Sequence, residues 1–163
     1  MSSLTIESRY RKAQKQTAKL LSTLDFAHGE PKVRGLDGWV FEQVVRSGIE
    51  RGLKKACIRC DISEQVSIGP GRAKVDFVAG SAALEVKVSG FYDSSAEAKY
   101  AEYRKRVEKK GWDYFCVTLY ESYEPNRKLA KRVFGPKRFF ILSEAEEWER
   151  FSQELIRTLK TRS

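Results

Sequence analysis

The sequence predicts a single mixed α/β domain whose elements follow in the order α-α-β-β-β-α-β-β-α. Three observations predict it. Residues 37–54 repeat apolar side chains every fourth position, which is typical of an amphipathic helix. Residues 57–88 change to short apolar runs separated by glycine-containing turns, which are typical of strands. Two further apolar runs, 113–120 and 138–142, lie between stretches that return to helical periodicity. With 163 residues and 41% hydrophobic content, the chain can bury a core of its own.

The N-terminal part of the chain predicts two helices joined by a hinge. Residues 4–24 indicate a basic amphipathic helix, with apolar members at Ile6, Tyr10, Leu20, Leu21 and Leu24. Residues 25–35 contain Gly and Pro and predict a loop. This loop divides an N-terminal arm, 1–30, from the main domain, 31–163. The helix of 37–54 carries its apolar stripe on Val40, Phe41, Val44, Val45, Ile49 and Leu53.

Three strands follow the second helix. Residues 57–68 predict the first, and Gly-Pro-Gly at 69–71 predicts the turn that ends it. Residues 73–79 and 82–88 predict a hairpin across Gly80-Ser81. Glycine at the first central position suits a two-residue type II′ turn, which supports this pairing.

The C-terminal half predicts two further helices. After a loop at 89–95, Ser94 and Glu97 have capping-box spacing and predict a helix start. Ser143 and Glu146 repeat that spacing and predict the start of the last helix. The inward residues predicted for these two helices are Ala96, Tyr100, Tyr103 and Val107 in the first, and Trp148, Phe151, Leu155 and Leu159 in the second.

The charge of the chain favours an anionic partner. Its formal net charge is +9 and its pI is near 9.5, so nucleic acid is the first expectation and an acidic membrane surface the second. No apolar run approaches the roughly 18 residues that a membrane span needs. The first 24 residues are too charged for the apolar region of a signal peptide. We therefore expect a soluble cytoplasmic protein.

The three cysteines do not predict a disulfide framework, because their number is odd and we expect an intracellular chain. Cys57 and Cys60 have CxxC spacing, but Cys116 stands alone and His28 is the single histidine. A closed zinc site needs four ligands. Zinc or redox use is therefore the weaker interpretation, and two ordinary strand cysteines the stronger.

The hairpin register brings two acids together. Counting outward from Gly80-Ser81 pairs Ala79 with Ala82, Phe77 with Leu84, and Val75 with Val86, which gives one apolar face. On the other face, Asp76 stands opposite Glu85, and Lys74 stands opposite Lys87. Directly opposed side chains have Cβ atoms about 4.5–5.5 Å apart, so two carboxylates there repel each other. Such a pair shares a proton, gains a cation, or is tolerated as strain.

Asp76 followed by Glu85-Val86-Lys87 resembles the motif of the PD-(D/E)XK nuclease superfamily, which includes restriction endonucleases and Holliday-junction resolvases. That superfamily has an αβββαβ core, with the Asp on the second strand and the ExK on the third. The predicted order from residue 37 to 120 is the same, so the resemblance covers about half of the chain. Where the superfamily often has Pro before the Asp, this chain has Val75. The resemblance implies a restriction-endonuclease-like core with a mixed central sheet and extra N- and C-terminal helices.

The resemblance also implies a set of catalytic residues and a metal. Asp76, Glu85 and the backbone carbonyl of Val86 would bind Mg²⁺, with Mn²⁺ as a possible substitute and no other small-molecule cofactor. Lys87 would position or activate the attacking water. The superfamily often carries a Glu on the helix before the first strand, and Glu42 matches it. Glu42 falls on the apolar arc of its helix, so a second carboxylate of the site and a boundary Glu paired with Arg46 remain alternatives.

Basic residues around this motif are candidates for nucleic-acid binding. Arg72 and Lys74 precede Asp76, and Lys99 lies on the helix that follows Lys87. Tyr92 lies in the loop after the third strand, where ordinary loop packing is an equal alternative. The segment 126–138 supplies the other candidates, Arg127, Lys128, Lys131, Arg132, Lys137 and Arg138. A solvated helical face is the alternative for such a run, but a phosphodiester site nearby favours phosphate contact.

The sequence predicts a metal-dependent endonuclease that cleaves duplex DNA at specific sites, as a restriction enzyme does. A Holliday-junction or other structure-specific resolvase is the alternative within this class. A non-catalytic nucleic-acid-binding module on a nuclease fold is the alternative of another class. Because one site cuts one strand, paired cuts predict a homodimer with twofold symmetry.

Overall fold

Five helices and five strands make up the fold of the described residues. The computed structural model describes residues 5–22, 35–89 and 94–161. The elements are α1 (Ile6–Ser22), α2 (Leu36–Lys55), β1 (Ile62–Ser67), β2 (Lys74–Ala79), β3 (Ala82–Ser89), α3 (Ser94–Lys109), β4 (Asp113–Tyr120), α4 (Glu124–Phe134), β5 (Phe139–Ile141) and α5 (Glu147–Thr161).

The strands form one open mixed sheet in the order β1-β2-β3-β4-β5. β1, β2 and β3 are antiparallel neighbours, whereas β3, β4 and β5 run parallel. Parallel neighbours need a crossover, and α3 and α4 supply the two that this sheet requires. The predicted mixed α/β class is confirmed.

Helices cover both faces of the sheet, and each face has its own apolar core. The first core joins α1, α2 and α5 to one face, with Phe41, Phe115 and Phe151 among its fully buried side chains. The second core joins α3 and α4 to the opposite face, around Val107 and Phe134. The domain therefore has three layers, helix on sheet on helix. None of the helices in the described part of the chain is long and apolar enough to cross a membrane.

Helix α1 packs on the main body through its first two turns. Ile6 and Tyr10 are buried in the first core, and the Tyr10 ring meets the Phe41 ring edge-on at 5.4 Å. Leu20, another apolar member of the predicted helix, is 63% exposed, so the apolar members of α1 are not all on its buried side. The arm boundary predicted near residue 30 lies outside the described residues.

Three predicted details of the elements are wrong. β1 begins at Ile62 rather than at residue 57, because Cys57 adopts a left-handed conformation, φ 57°, that a strand cannot continue. α5 begins at Glu147, and Glu146 is itself left-handed with φ 63°, so the capping box predicted from Ser143 and Glu146 does not form. The third is α4, which the predicted order omits.

Candidate active site where β2 and β3 part

The hairpin pairs as predicted near its turn and differs beyond it. Ala79 pairs with Ala82 and Phe77 with Leu84, as the register predicts. Among the described residues, the β2–β3 ladder ends there, so the predicted pairs Asp76–Glu85 and Val75–Val86 are not part of it. Lys74 pairs with Ser67 of β1 rather than with Lys87.

The Asp76 carboxylate takes the place of the next ladder bond. Its Oδ2 accepts a hydrogen bond of 2.7 Å from the Val86 backbone N–H, and its Oδ1 accepts a longer one, 3.4 Å, from Gln65 Nε2. Gln65 is in the left-handed region with φ 50°, which is uncommon for a residue other than glycine. β1 is therefore irregular at Gln65 and β2 at Asp76. The Asp76 carboxylate accepts hydrogen bonds from residues of both β1 and β3.

The strand β2 changes face at Asp76. In a regular strand, positions 75 and 77 share one face. Phe77 instead lies in the first core, and Val75 lies in the second. The predicted apolar face with Val75 beside Phe77 is therefore wrong. The opposite face of β2 is not occupied by charged residues alone, because Val75 lies there.

Glu85 is a buried acid with three polar partners. It is 4% exposed, and its Oε1 lies 2.5 Å from Lys87 Nζ. The Tyr100 hydroxyl donates to Oε1 and the Tyr114 hydroxyl to Oε2, each at 3.2 Å. Burial raises the pKa of Glu85, an effect that the charge of Lys87 opposes and that of Asp76 reinforces. A buried carboxylate is thus retained in a site built to hold it.

Lys87 is held in the charged form by its neighbours. Its side chain is 32% exposed. Burial lowers the pKa of Lys87, but the carboxylates of Glu85 and Asp76 outweigh that effect, and the pKa rises above its usual value. Its ammonium also lies 5.8 Å from the centre of the Tyr100 ring. Lys87 is therefore a fixed positive charge beside two acids.

Glu42 of α2 is electrostatically coupled to these residues. Burial raises the pKa of Glu42 to about 7, and the negative charges of Asp76 and Glu85 add to this effect while Lys87 opposes it. Arg46, the alternative partner suggested by the sequence, instead forms ion pairs with Glu50 and Glu64. Glu42, Asp76, Glu85 and Lys87 are called the acid–lysine cluster below.

The acid–lysine cluster offers the donor types that Mg²⁺ prefers. Within the described ranges, no group of three or more His, Cys, Asp or Glu side chains is arranged to hold a metal ion. Mg²⁺ is often held by only one or two carboxylates together with waters. A carboxylate oxygen can accept about two hydrogen bonds. From the described residues, Oε2 of Glu85 accepts one hydrogen bond, from Tyr114, and Oδ1 of Asp76 accepts the long one from Gln65, so both oxygens have capacity for a cation.

Several of the predicted nucleic-acid-binding residues are exposed around this site. Arg72 and Lys74 are exposed beside β2. Lys99 is exposed on α3, its ammonium lies 4.9 Å from the Tyr100 ring centre, and its charge lowers the pKa of Glu85. Lys99 is thus close to Glu85, and Lys74 lies two positions before Asp76 on β2. Tyr92 lies outside the described residues.

The basic segment 126–138 divides into two groups. Its arginines have partners within the protein: Arg127 pairs with Glu144 at 2.7 Å, and Arg132 pairs with Glu97 at 3.2 Å. Arg138 contacts Asp113 and Glu154, and its guanidinium lies 4.6 Å from the Phe115 ring centre. The other group, Lys128, Lys131 and Lys137, is exposed.

Arg138 and Lys137 lie away from the acid–lysine cluster. Asp113, the partner of Arg138, begins β4 and pairs with Ala82, whereas Lys87 pairs with Thr118 further along the same two parallel strands. At about 3.3 Å per residue, the five-residue difference separates the two ends by about 16 Å. Helix α4 starts after the far end of β4 and returns toward Arg138, so Lys128 at its start is the better-placed lysine.

Two tyrosines belong to the site that sequence patterns did not assign to it. Tyr100 was predicted as a core residue of its helix, and Tyr114 as part of a strand. Both are buried and both donate to Glu85. The available signal was the residue type, because a buried Tyr needs a partner for its hydroxyl that Phe does not need.

No family model matches the chain, and no curated protein or solved structure gives a significant match.

Proposed function

We propose that this protein is a Mg²⁺-dependent endonuclease that hydrolyses phosphodiester bonds in DNA, on a restriction-endonuclease-like core. One observation carries the proposal: the buried Glu85 is held against Lys87 on β3, and Asp76 is fixed to the Val86 N–H where the β2–β3 ladder ends. The element order from α2 to β4 is αβββαβ, with Asp76 on the second strand and Glu85 and Lys87 on the third. Both features agree with the PD-(D/E)XK motif that the sequence resembles.

The chemical problem is the negative charge of the phosphodiester, which repels nucleophiles. A Mg²⁺ ion bound by Asp76, Glu85 and the Val86 carbonyl would neutralise that charge and make a bound water more acidic. Lys87, which its neighbours hold in the charged form, stabilises the negative charge that develops on the phosphate oxygens and orients the attacking water. Glu42, whose pKa is about 7, accepts a proton near neutral pH.

Two other parts of the structure support this assignment. Tyr100 and Tyr114 fix the orientation of the Glu85 carboxylate, so the acid is positioned before any substrate arrives. Exposed Lys99 adds positive charge beside Glu85, and exposed Arg72 and Lys74 precede Asp76 along the chain, whose net charge is +9. Phosphate contacts of this kind position a nucleic acid over a site.

The experiment that tests the proposal offers linear duplex DNA and a four-way junction to the protein with Mg²⁺, and sequences the product ends. Discrete cuts in linear duplex support a restriction-like enzyme. Cuts confined to the junction instead support a structure-specific resolvase. If neither DNA is cut with Mg²⁺ or Mn²⁺ while both are bound, the protein is a non-catalytic binding module and the proposal fails.

Paired cuts in duplex DNA require two such sites, so we expect the active form to be a twofold homodimer. Sedimentation in the presence of DNA and Ca²⁺ measures this directly. A complex with two protein chains per duplex supports the expectation, and one chain per duplex contradicts it.

A further inference from the structure

A basic cleft runs between α1 and α2, outside the acid–lysine cluster. Its volume is about 640 Å³. The described residues that line it include three cations, Arg9, Lys12 and Arg51, and no carboxylate. Trp39 also lines the cleft and is 55% exposed. An exposed Trp amid cations is unusual in a chain whose other tryptophans, Trp112 and Trp148, are partly buried.

The cleft adjoins the acid–lysine cluster along α2. At about 100° per residue, Trp39 lies about 60° from Glu42 around this helix. Gln43 lies about 40° beyond Trp39, on the side away from Glu42. Gln43 lines the cleft and donates to Glu64 at 3.5 Å, while Glu64 is one of the carboxylates that raise the pKa of Glu42. The cleft and the cluster are therefore neighbours on α2, linked through Gln43 and Glu64.

The dimensions and charge of the cleft suit a polyanion. Trp39 and Arg51 are twelve positions apart on α2, which corresponds to about 18 Å along the helix. Lys12 and Gln16 also border the neighbouring exposed surface of α1, where Lys15 and Lys19 add positive charge. A ligand with regularly spaced negative charges would therefore meet cations along the length of the cleft.

We infer that this cleft binds a single-stranded segment of nucleic acid, with a base stacked on Trp39 and phosphates held by Arg9, Lys12 and Arg51. Every base has an aromatic face, and stacking on an exposed aromatic side chain is the usual way in which proteins bind strands without reading their sequence. In duplex DNA these faces are already stacked, so the exposed ring selects an unpaired base. The inference rests on the proposed function in taking nucleic acid as the ligand, and it adds that the substrate has an unpaired strand next to the cut.

The test is the binding of a fluorescein-labelled fifteen-residue oligo(dT) by anisotropy in EDTA, where hydrolysis does not interfere. We expect Trp39→Ala to weaken binding about fivefold or more, because base stacking on one aromatic ring accounts for at least that factor. Trp39→Phe, which keeps an aromatic face, restores most of the affinity. Thermal unfolding of each variant checks that the fold is intact, which the exposure of Trp39 favours.

The cations are tested with a matched pair of double variants. Lys12→Ala/Arg51→Ala lowers the salt dependence of oligo(dT) binding by about 1.4 in the logarithmic slope, since each contact with a single strand contributes about 0.7. Lys109→Ala/Lys160→Ala removes two exposed lysines from α3 and α5 and leaves the slope nearly unchanged. Equal changes of the salt slope in the two double variants would show that the cleft cations contribute no more than other surface lysines, and would overturn the inference.

Two further outcomes would overturn it. One is that Trp39→Ala binds oligo(dT) as the wild type does. The other is that poly-glutamate competes as well as unlabelled oligo(dT), which would show a site for acidic proteins. The fate of the proposed nuclease is separate: cleavage with Mg²⁺ can persist while these binding tests fail, and Trp39-dependent binding can persist in a chain that cuts nothing.

Discussion

Lys87 Nζ lies 2.5 Å from Glu85 Oε1 on one face of β3. Glu85 is almost completely buried, so this ion pair is partly withdrawn from water. A buried ion pair does not generally stabilise a fold more than apolar packing would, because both charges lose water. Tyr100 and Tyr114 add hydrogen bonds to the same carboxylate. The protein thus maintains a costly charged group at this position, which is common at functional sites.

The hydroxyl of Tyr114 stabilises the charged form of Glu85. Tyr114→Phe removes a hydrogen bond to a buried carboxylate, so we expect the free energy of unfolding to fall by about 1.5–3 kcal/mol. Urea unfolding at pH 8 measures the change. Tyr103→Phe is the control, since Tyr103 is a half-buried residue of α3, and we expect it to lie within about 0.5 kcal/mol of wild type. Equal stability of the two variants would contradict the role of Tyr114.

The raised pKa of Glu42 predicts a loss of stability as the pH rises. The folded state holds the Glu42 proton up to about pH 7, whereas the ordinary value is 4.5, so the folded state binds more protons between these values. Stability is therefore fully present below about pH 4.5 and decreases through pH 7. Because Glu42 is only partly buried, we expect Glu42→Gln to be more stable than wild type at pH 8 by roughly 1–2 kcal/mol, well below the full value of the shift.

Thermal unfolding of both proteins in EDTA at pH 5 and pH 8 checks this prediction. The two should differ little at pH 5, and the difference should develop between pH 5 and pH 8. A constant difference at both values would show that the amide acts by packing and not through the charge of Glu42.

Asp76 has a structural bond that can be separated from its charge. Asp76→Asn keeps an oxygen that can accept from the Val86 N–H, whereas Asp76→Ala leaves this N–H without its acceptor. We expect Asp76→Ala to lose about 1–3 kcal/mol of stability and Asp76→Asn to lose less. Both should lose Mg²⁺-dependent cleavage, because neither has the carboxylate. Cleavage by Asp76→Asn at the wild-type rate would exclude Asp76 as a metal ligand.

Substitutions in the basic segment 126–138 should have two different effects, with the arginine affecting stability and the lysines affecting DNA binding. Arg138→Ala breaks its contacts with Asp113 and Glu154, so we expect a loss of about 1–2 kcal/mol of stability with little change in DNA affinity. Lys128→Ala/Lys131→Ala should leave the melting temperature unchanged and lower the salt slope of duplex binding by about 1.8. Salt titrations of duplex binding, with thermal melts, measure both. A fall in DNA affinity for Arg138→Ala equal to that of the lysine variant would contradict the division.

Local patterns in the sequence predicted much of the fold. The apolar stripe of α2 is buried at Phe41, Val45, Ile49 and Leu53, as periodicity predicts. The Gly80-Ser81 turn forms with Gly80 at φ 53°, which suits the glycine there. These features depend on neighbours a few positions away, so the sequence contains them directly.

The geometry of the candidate site was less predictable. Counting register assumes that a ladder continues, and nothing in the residue type of Gln65 indicates its left-handed conformation. The contacts of Tyr100 and Tyr114 with Glu85 depend on how α3 and β4 pack, which local patterns do not reveal. Helix α4, in contrast, was predictable from local patterns. Its buried residues Ala130, Val133 and Phe134 recur at helical spacing among the basic residues.

Mg²⁺-dependent cleavage of supercoiled plasmid, by the wild type and by Lys87→Ala, tests the proposed nuclease activity directly. A fixed positive charge beside the phosphate contributes about 10²–10³-fold to the rate, so we expect the wild type to cut and Lys87→Ala to be slower by at least that factor. Lys105→Ala removes an exposed lysine of α3 and should cut at the wild-type rate. Plasmid that remains intact with the wild type and Mg²⁺ or Mn²⁺, or equal cleavage by Lys87→Ala, would contradict the proposed function.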